Sequence, residues 1–269
     1  MLQMQDHAQG SGPGPHVAQI YRYPVKGLTP EPLETTAVRE GETLANDRIY
    51  AIENGTGKFD PSAPRHLPKI NFLMLMRDEK LATLNTRFDD DTHDLTIAHD
   101  GDEVARGNLR TVAGRAIIED FMGRFMARLP GSRARGTPRI VQAKGHTFSD
   151  VPAHCVHIVN LESVRALETI AGGKIHPLRF RANIYIDGLP AWAEFDWLDK
   201  RLKLGGATVQ VWSRTVRCEA TNVDPETGAR DMSIPSLLMR TFGNQDFGVY
   251  ASIRTSGDVS IGDRVQPES

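Results

Sequence analysis

"ATVQVWSRTVRCEATNVDPETG", residues 207–228, begins as a strand and ends as a turn. Its first half is rich in β-branched residues, which suit a pleated surface. Its second half supplies Asp, Pro, Thr and Gly, which turn the chain. The same pattern recurs: VAQIYRYPV (17–25, ended by Pro24), DRIYAIEN (47–54), RIVQA (139–143), VHIVN (156–160) and RANIYIDG (181–188) all read as strands. KLATLNTRFD (80–89) and HDLTIAHDGD (93–102) alternate apolar and polar residues around an acidic turn and predict a hairpin. FGVYASIRTSGDVSIGDRV (247–265) predicts a strand, a Gly-Asp turn and another strand.

Helical spacing is confined to three segments. RAIIEDFMGRFMARL (115–129) repeats Ile117, Phe121, Phe125 and Leu129, with Ile118 and Met122 beside them. LESVRALETIAGG (161–173) ends in Gly172 and Gly173, and IPSLLMRTFG (234–243) opens with Pro235 and ends in Gly243. Strands outnumber helices and do not alternate with them as βαβ units require. The predicted fold class is mainly β (α+β) and barrel-like, with a few peripheral helices. PGSRARGTP (130–138) is the expected boundary between two halves.

The 269 residues allow one large domain or two small ones. Hydrophobic content of 39% and charged content of 25% are those of an ordinary globular protein. A net charge of −2 gives no reason to expect nucleic acid as partner, and no apolar run is long enough to span a membrane. Residues 1–16 have neither a basic start nor an apolar core, so they read as a disordered tail and not a signal. Two cysteines make no disulfide framework, which suits a cytoplasmic setting, and they supply too few thiolates for an iron–sulfur cluster.

Cys218 ends the opening strand just before a polar loop. One reading is packing as a small hydrophobe, the commoner case for a cysteine. The other is a thiolate that binds a thiophilic metal or acts as a nucleophile. The residues alone lean to packing and leave both open. Arg217, next to it, points to the opposite face if the strand continues that far. HCVH (154–157) resembles a compact metal site, but strand alternation sends His154 and His157 to opposite faces. Lys26, Arg48, Arg179 and Arg181 sit at strand ends; singly they are surface charges, and together they would clamp an oxyanion. Trp192 and Trp197 read as packing residues.

In chain order, the segments resemble the MOSC family, named after the C-terminus of molybdenum-cofactor sulfurase. YPVKGL (23–28) resembles the family's YPVKS, and NDRIY (46–50) its D-R-aromatic opening. RFRANIYIDG (179–188) is similar to RFRPNI, and RCEATNVDPETG (217–228) to the family's RC and VDP-x-TG pattern. FGVYASIRTSGDVSIGD is similar to the closing segment, so the resemblance runs from about Val17 to Val265.

The resemblance implies a MOSC N-terminal β-barrel domain over 17–130 and a MOSC domain over 131–267. In the amidoxime and N-hydroxylamine reductase branch it implies molybdenum ligated by Cys218. The pterin and its phosphate would be held by Lys26, Arg48, Arg181 and Asn183. Arg217 and Tyr250 would line the pocket, and Asp150 would lie near the metal as a catalytic residue. The implied cofactor is Mo-molybdopterin, with no iron–sulfur cluster and no pyridoxal phosphate (PLP) in this chain. The implied function is reduction of a small N–O or S–O substrate, with electrons from a separate ferredoxin- or cytochrome-like protein. The alternatives are a Cys218 persulfide carrier and a non-enzymatic cofactor carrier. Three hydroxyl donors of relatives are replaced: Gly27 stands for one Ser, Val216 for another, and DVPAH (150–154) for a DTSP-like run.

Overall fold

A computed structural model describes residues 14–55, 57–131 and 135–268. Most of the expected tail (1–13) and part of the expected boundary (132–134) lie outside the described residues. β1 (His16–Arg22) begins at His16, the last residue of the expected tail.

The N-terminal part continues with β2 (Glu31–Leu33), β3 (Thr35–Val38), β4 (Ala51–Glu53), β5 (Leu84–Phe88), β6 (Asp94–His99), β7 (Asp102–Asn108), α1 (Val112–Arg128) and β8 (Arg139–Val141). The remainder holds β9 (Val156–Asn160), α2 (Leu161–Ala171), β10 (Ile184–Asp187), β11 (Arg201–Leu204), β12 (Ala207–Val216), α3 (Ile234–Phe242), β13 (Asp246–Thr255), β14 (Gly257–Ser260) and β15 (Val265–Pro267).

Eight strands form one sheet in the order β15-β11-β12-β13-β9-β10-β1-β2. Every neighbouring pair is antiparallel except β9 and β10, which run parallel because α2 lies between them in sequence. The sheet curls round on itself: Val17 N donates to Asp263 O (2.8 Å), Gly262 N to Val17 O (2.8 Å) and Val265 N to Pro15 O (2.8 Å). Inside it, Val209 and Val211 of β12 meet Val249, Ala251 and Ile253 of β13, all buried, at alternate positions. Each such valine or isoleucine removed from water contributes about 1.5–3 kcal/mol.

The second core lies under the hairpin β5–β6–β7 and α1. The side of α1 that faces it differs from the expected stripe. Ile118, Met122 and Met126 are buried, whereas Ile117 is 49% exposed, and Phe121, Phe125 and Leu129 pack at the edge. The cause is Gly114. It brings the helix backbone so near β7 that a Cβ there would lie 2.2 Å from Asn108 O, and that contact fixes the helix rotation.

Two further expectations shift. The strand expected over 17–25 stops at Arg22, ahead of Pro24, which has no N–H for a ladder. The strand expected over 47–54 is regular only at Ala51–Glu53, because Asn46 and Arg48 take left-handed backbone (φ +60° and +52°). Sheet membership also crosses the expected boundary near 130. β1 and β2 belong to the eight-stranded sheet, and β8 pairs with β4.

Candidate functional site

The segment after β1 enters the gap between the two cores. Lys26 N donates to Tyr50 O (2.8 Å), and Arg48 N to Tyr23 O (2.8 Å), so the two cations arrive side by side. Arg181 follows the single 3-10 turn Pro177–Phe180 and, like Arg48, has left-handed backbone (φ +50°). Non-glycine residues in this region are strained by about 1–2 kcal/mol, and such strain gathers at functional sites. The Arg48 and Arg181 guanidinium carbons lie 4.5 and 4.2 Å from the centre of one ring, that of the buried Tyr23. Cation–π attraction to this shared ring helps two like charges tolerate their proximity.

Partners are unequally shared among the cations. Arg48 is paired with Asp47 and donates to Arg181 O (3.2 Å). Lys26 donates to Phe148 O (2.8 Å) and pairs with Asp150 (2.5 Å), and Lys69 lies 3.9 Å from the same carboxylate. Arg181 donates to Leu28 O (2.9 Å), and among the described residues no carboxylate forms a salt bridge with it or with Arg217. Burial pulls the Arg181 pKa down and Arg48 adds to this, partly offset by Tyr23. Burial likewise lowers Lys26, against the opposing pull of Asp150. Arg181 and Arg217 are thus the cavity cations left to an incoming anion, whereas Lys26 and Arg48 already have carboxylate partners.

The opposite wall is built by β12 and the loop after it. β12 ends at Val216, and Cys218 opens a short 3-10 turn, Glu219–Asn222. Strand alternation therefore does not extend to Arg217, and the expectation that it faces away from Cys218 is corrected. Both line one cavity of about 370 Å³, together with Lys26, Arg48, Asp150, Arg181, Asn183 and Tyr250. All eight residues that the resemblance implied for the site line that cavity. Arg217 donates to Phe180 O (2.6 Å) and meets His157 Nε2 at 3.3 Å. Since arginine only donates, Nε2 is the accepting nitrogen. Burial, with Arg217 and Arg48 adding to it, holds His157 well below its ordinary pKa and therefore neutral. Asn183 commits its side chain to backbone, accepting from His157 N (3.1 Å) and donating to Tyr21 O (3.2 Å). Burial pushes Tyr250 up to about 12, so its hydroxyl stays protonated.

Two sequence expectations change. Arg179 does not join a free clamp: it is 3% exposed and held by Asp224 (3.1 Å), Asp231 (2.8 Å) and Asn222 O (3.1 Å). In HCVH, His154 and Cys155 precede β9, and His154 bonds Gly41 O (3.1 Å). Among the described residues no group of three His, Cys, Asp or Glu side chains is arranged to hold a metal ion. Cys155 lines the cavity too, but burial raises its thiol to about 12.

Sequence reasoning missed Tyr23 as the shared platform, and Lys69, His157 and Trp212 as wall residues. Tyr23 stood inside the quoted YPVKGL. Lys69, in a proline-rich loop, carried no signal.

Residues 14–121 match the MOSC N-terminal beta barrel domain, and residues 145–266 match the MOSC domain. The chain belongs to the MOSC family. Among the relatives of this MOSC chain is "Mitochondrial amidoxime-reducing component 1" of Homo sapiens, 24% identical over 93% of this chain and 82% of that one. "Mitochondrial amidoxime reducing component 2" of Bos taurus is 26% identical over the same shares. "Molybdenum cofactor sulfurase" of Caenorhabditis elegans is 34% identical over 35% of this chain and 13% of that protein. No described helix is long and apolar enough to cross a membrane.

The MOSC cavity suits a group that is anionic at one end. Besides cations that form no carboxylate salt bridge, it has three buried side-chain polar atoms without a partner among the described residues, Arg179 Nε, Thr215 Oγ1 and Arg217 Nε. A buried polar atom left unpaired costs about 1–3 kcal/mol, which a polar occupant or water offsets. Cys218 places a sulfur atom, a soft donor, on the same cavity. The residues present fit a molybdopterin with its phosphate.

Proposed function

We propose that this MOSC protein binds the molybdenum cofactor and reduces a small N-hydroxylated, or other N–O or S–O, compound. The observation that carries the reading is the cavity itself, with Lys26, Arg48 and Arg181 on one wall and Cys218 on the other. Lys26, Arg48 and Arg181 would hold the phosphate end, and Cys218 would be a permanent metal ligand. Bound there, the cofactor would supply oxygen-atom-transfer chemistry, with the reducing electrons coming from a donor protein. Arg217 would orient the occupant from the Cys218 side, with its guanidinium set by Phe180 O and His157. Asn183 would act through His157, whose backbone N–H it accepts from. Asp150 keeps its negative charge near neutral pH, so it would balance the cations and orient substrate instead of delivering a proton.

Electrons would come from a separate ferredoxin- or cytochrome-like protein. The cytoplasm is the proposed setting. The match to a sulfurase segment, with Cys218 partly exposed on a turn, favours one second reading: Cys218 as a persulfide carrier.

The first measurement is molybdenum and pterin content of the protein from a cofactor-competent host, with Cys218→Ser alongside. Near-stoichiometric metal and pterin, with metal lost in the variant, would support the reductase reading. A folded protein with neither would overturn it, and transferable sulfur on Cys218 would then carry the second reading.

A further inference from the structure

Cys218 begins the loop between β12 and α3, and two arginines tie that loop from opposite sides. From its own half, Arg179 grips Asn222 O, Asp224 and Asp231. Asp224 Oδ1 in turn accepts from Glu226 N, Thr227 N and Thr227 Oγ1 (2.8–3.0 Å), which closes the VDPETG turn on itself.

The second tie crosses to the N-terminal domain. Arg230 Nη1 donates to Glu219 O (3.2 Å), the carbonyl immediately after Cys218. Its Nη2 donates to Met76 O (2.6 Å) and Leu75 O (3.2 Å), and Nη2 and Nε lie 3.2 and 3.3 Å from Glu79 Oε2. One planar guanidinium thus joins the residue beside the cysteine to three residues of the other domain. The loop also lies close against that domain at Gly228 (φ +62°), where a Cβ would come 3.0 Å from Glu79 O. Among the described residues Cys218 O accepts from Thr221, through N (3.1 Å) and Oγ1 (2.9 Å), and these bonds within the turn do not fix it to the N-terminal side.

We propose that Arg230 is a positioning residue, the strut by which the N-terminal β-barrel domain fixes the turn carrying Cys218. The guanidinium is suited to this because five N–H donors in a rigid fork reach acceptors on both domains, which a lysine ammonium on a flexible stem does not. Leu75 and Met76, at the far end of the strut, line the same cavity as Cys218. The cysteine's approach to the cavity is then set jointly by both domains. The inference takes from the proposed function only that Cys218 is the working group, and its test needs no cofactor.

The test is the rate at which Cys218 of the cofactor-free, full-length protein attacks 5,5′-dithiobis(2-nitrobenzoate). The thiolate forms a mixed disulfide and expels one coloured aromatic thiolate, so each event is counted. Cys218→Ser defines the background from Cys155. Arg230→Ala is expected to speed the Cys218 reaction about three- to tenfold, the consequence of losing ties worth about one hydrogen bond. The Tm should fall by no more than a few degrees, the cost expected at a partly exposed side chain. Arg230→Lys should be intermediate. Glu79→Gln, which weakens the strut's carboxylate end, should shift the rate less and in the same direction, and it stands in if Arg230→Ala does not fold. An unchanged Cys218 rate in these variants overturns the proposal. So does an equal acceleration of Cys155 in the Cys218→Ser background, since that would be general loosening.

Discussion

Lys26 Nζ lies 2.5 Å from Asp150 Oδ1, a pair formed across 124 residues of sequence. The pair is uneven, because Lys26 is buried while the Asp150 side chain is half exposed. Burial alone lowers the lysine's pKa and works to raise the carboxyl's. For Asp150 the cations Lys26, Lys69 and Arg48 outweigh that effect, so its carboxyl stays well below the usual range.

Asp150→Asn should therefore strand a buried ammonium and lower stability by about 1 kcal/mol at neutral pH, after allowing for solvent screening at the half-exposed carboxylate. A depressed carboxyl pKa contributes stability above its unfolded value, near 4, and loses it as pH falls through the folded value. The Tm gap between wild type and variant should be constant from pH 5 to 8 and close below pH 4. A gap that instead widens in acid would contradict the pairing.

Gly27→Ser restores the residue found in relatives and should nevertheless destabilise this protein. Gly27 sits at φ +85°, and a Cβ there would come 3.0 Å from Leu73 O. The left-handed backbone alone costs a side-chain-bearing residue about 1–2 kcal/mol. Urea unfolding of the two proteins measures this directly; equal midpoints would mean that the turn relaxes to accept the side chain.

Glu194 is fully buried, and burial raises its pKa, against the opposing hydrogen bonds from Ser163 and Asn160. A raised folded pKa contributes stability that is fully present below the unfolded value, near 4, and is lost as pH rises through the folded value. Glu194→Gln mimics the protonated form and should be more stable than wild type by about 1 kcal/mol at pH 8, with no advantage below pH 4. Thermal melts across that range check the sign. An advantage in acid, or none at any pH, would show that the carboxylate is not a liability there.

Motif order read from the sequence located the cavity without reading its geometry. YPVK, DR, RFRAN and RC each named a residue that reaches the same cavity. The sequence did not separate Arg179 from Arg181, two residues apart in one motif. One is neutralised by Asp224 and Asp231, and the other forms no carboxylate salt bridge among the described residues. Those carboxylates lie more than forty positions away, so no local pattern encodes the difference.

By itself, the sequence determined the mainly β class and the helices at α1, α2 and α3, because β-branched runs, helical spacing and terminal glycines are local and physically legible; the family followed from the resemblance of its motifs, taken in chain order, to those of the MOSC family. The tertiary structure alone decided that Tyr23 underlies both Arg48 and Arg181, that α1 buries Ile118 and not Ile117, and that Arg230 reaches from beside Cys218 to Met76. These depend on which distant backbones come within a few ångströms of one another, and close packing sets that jointly for the whole chain.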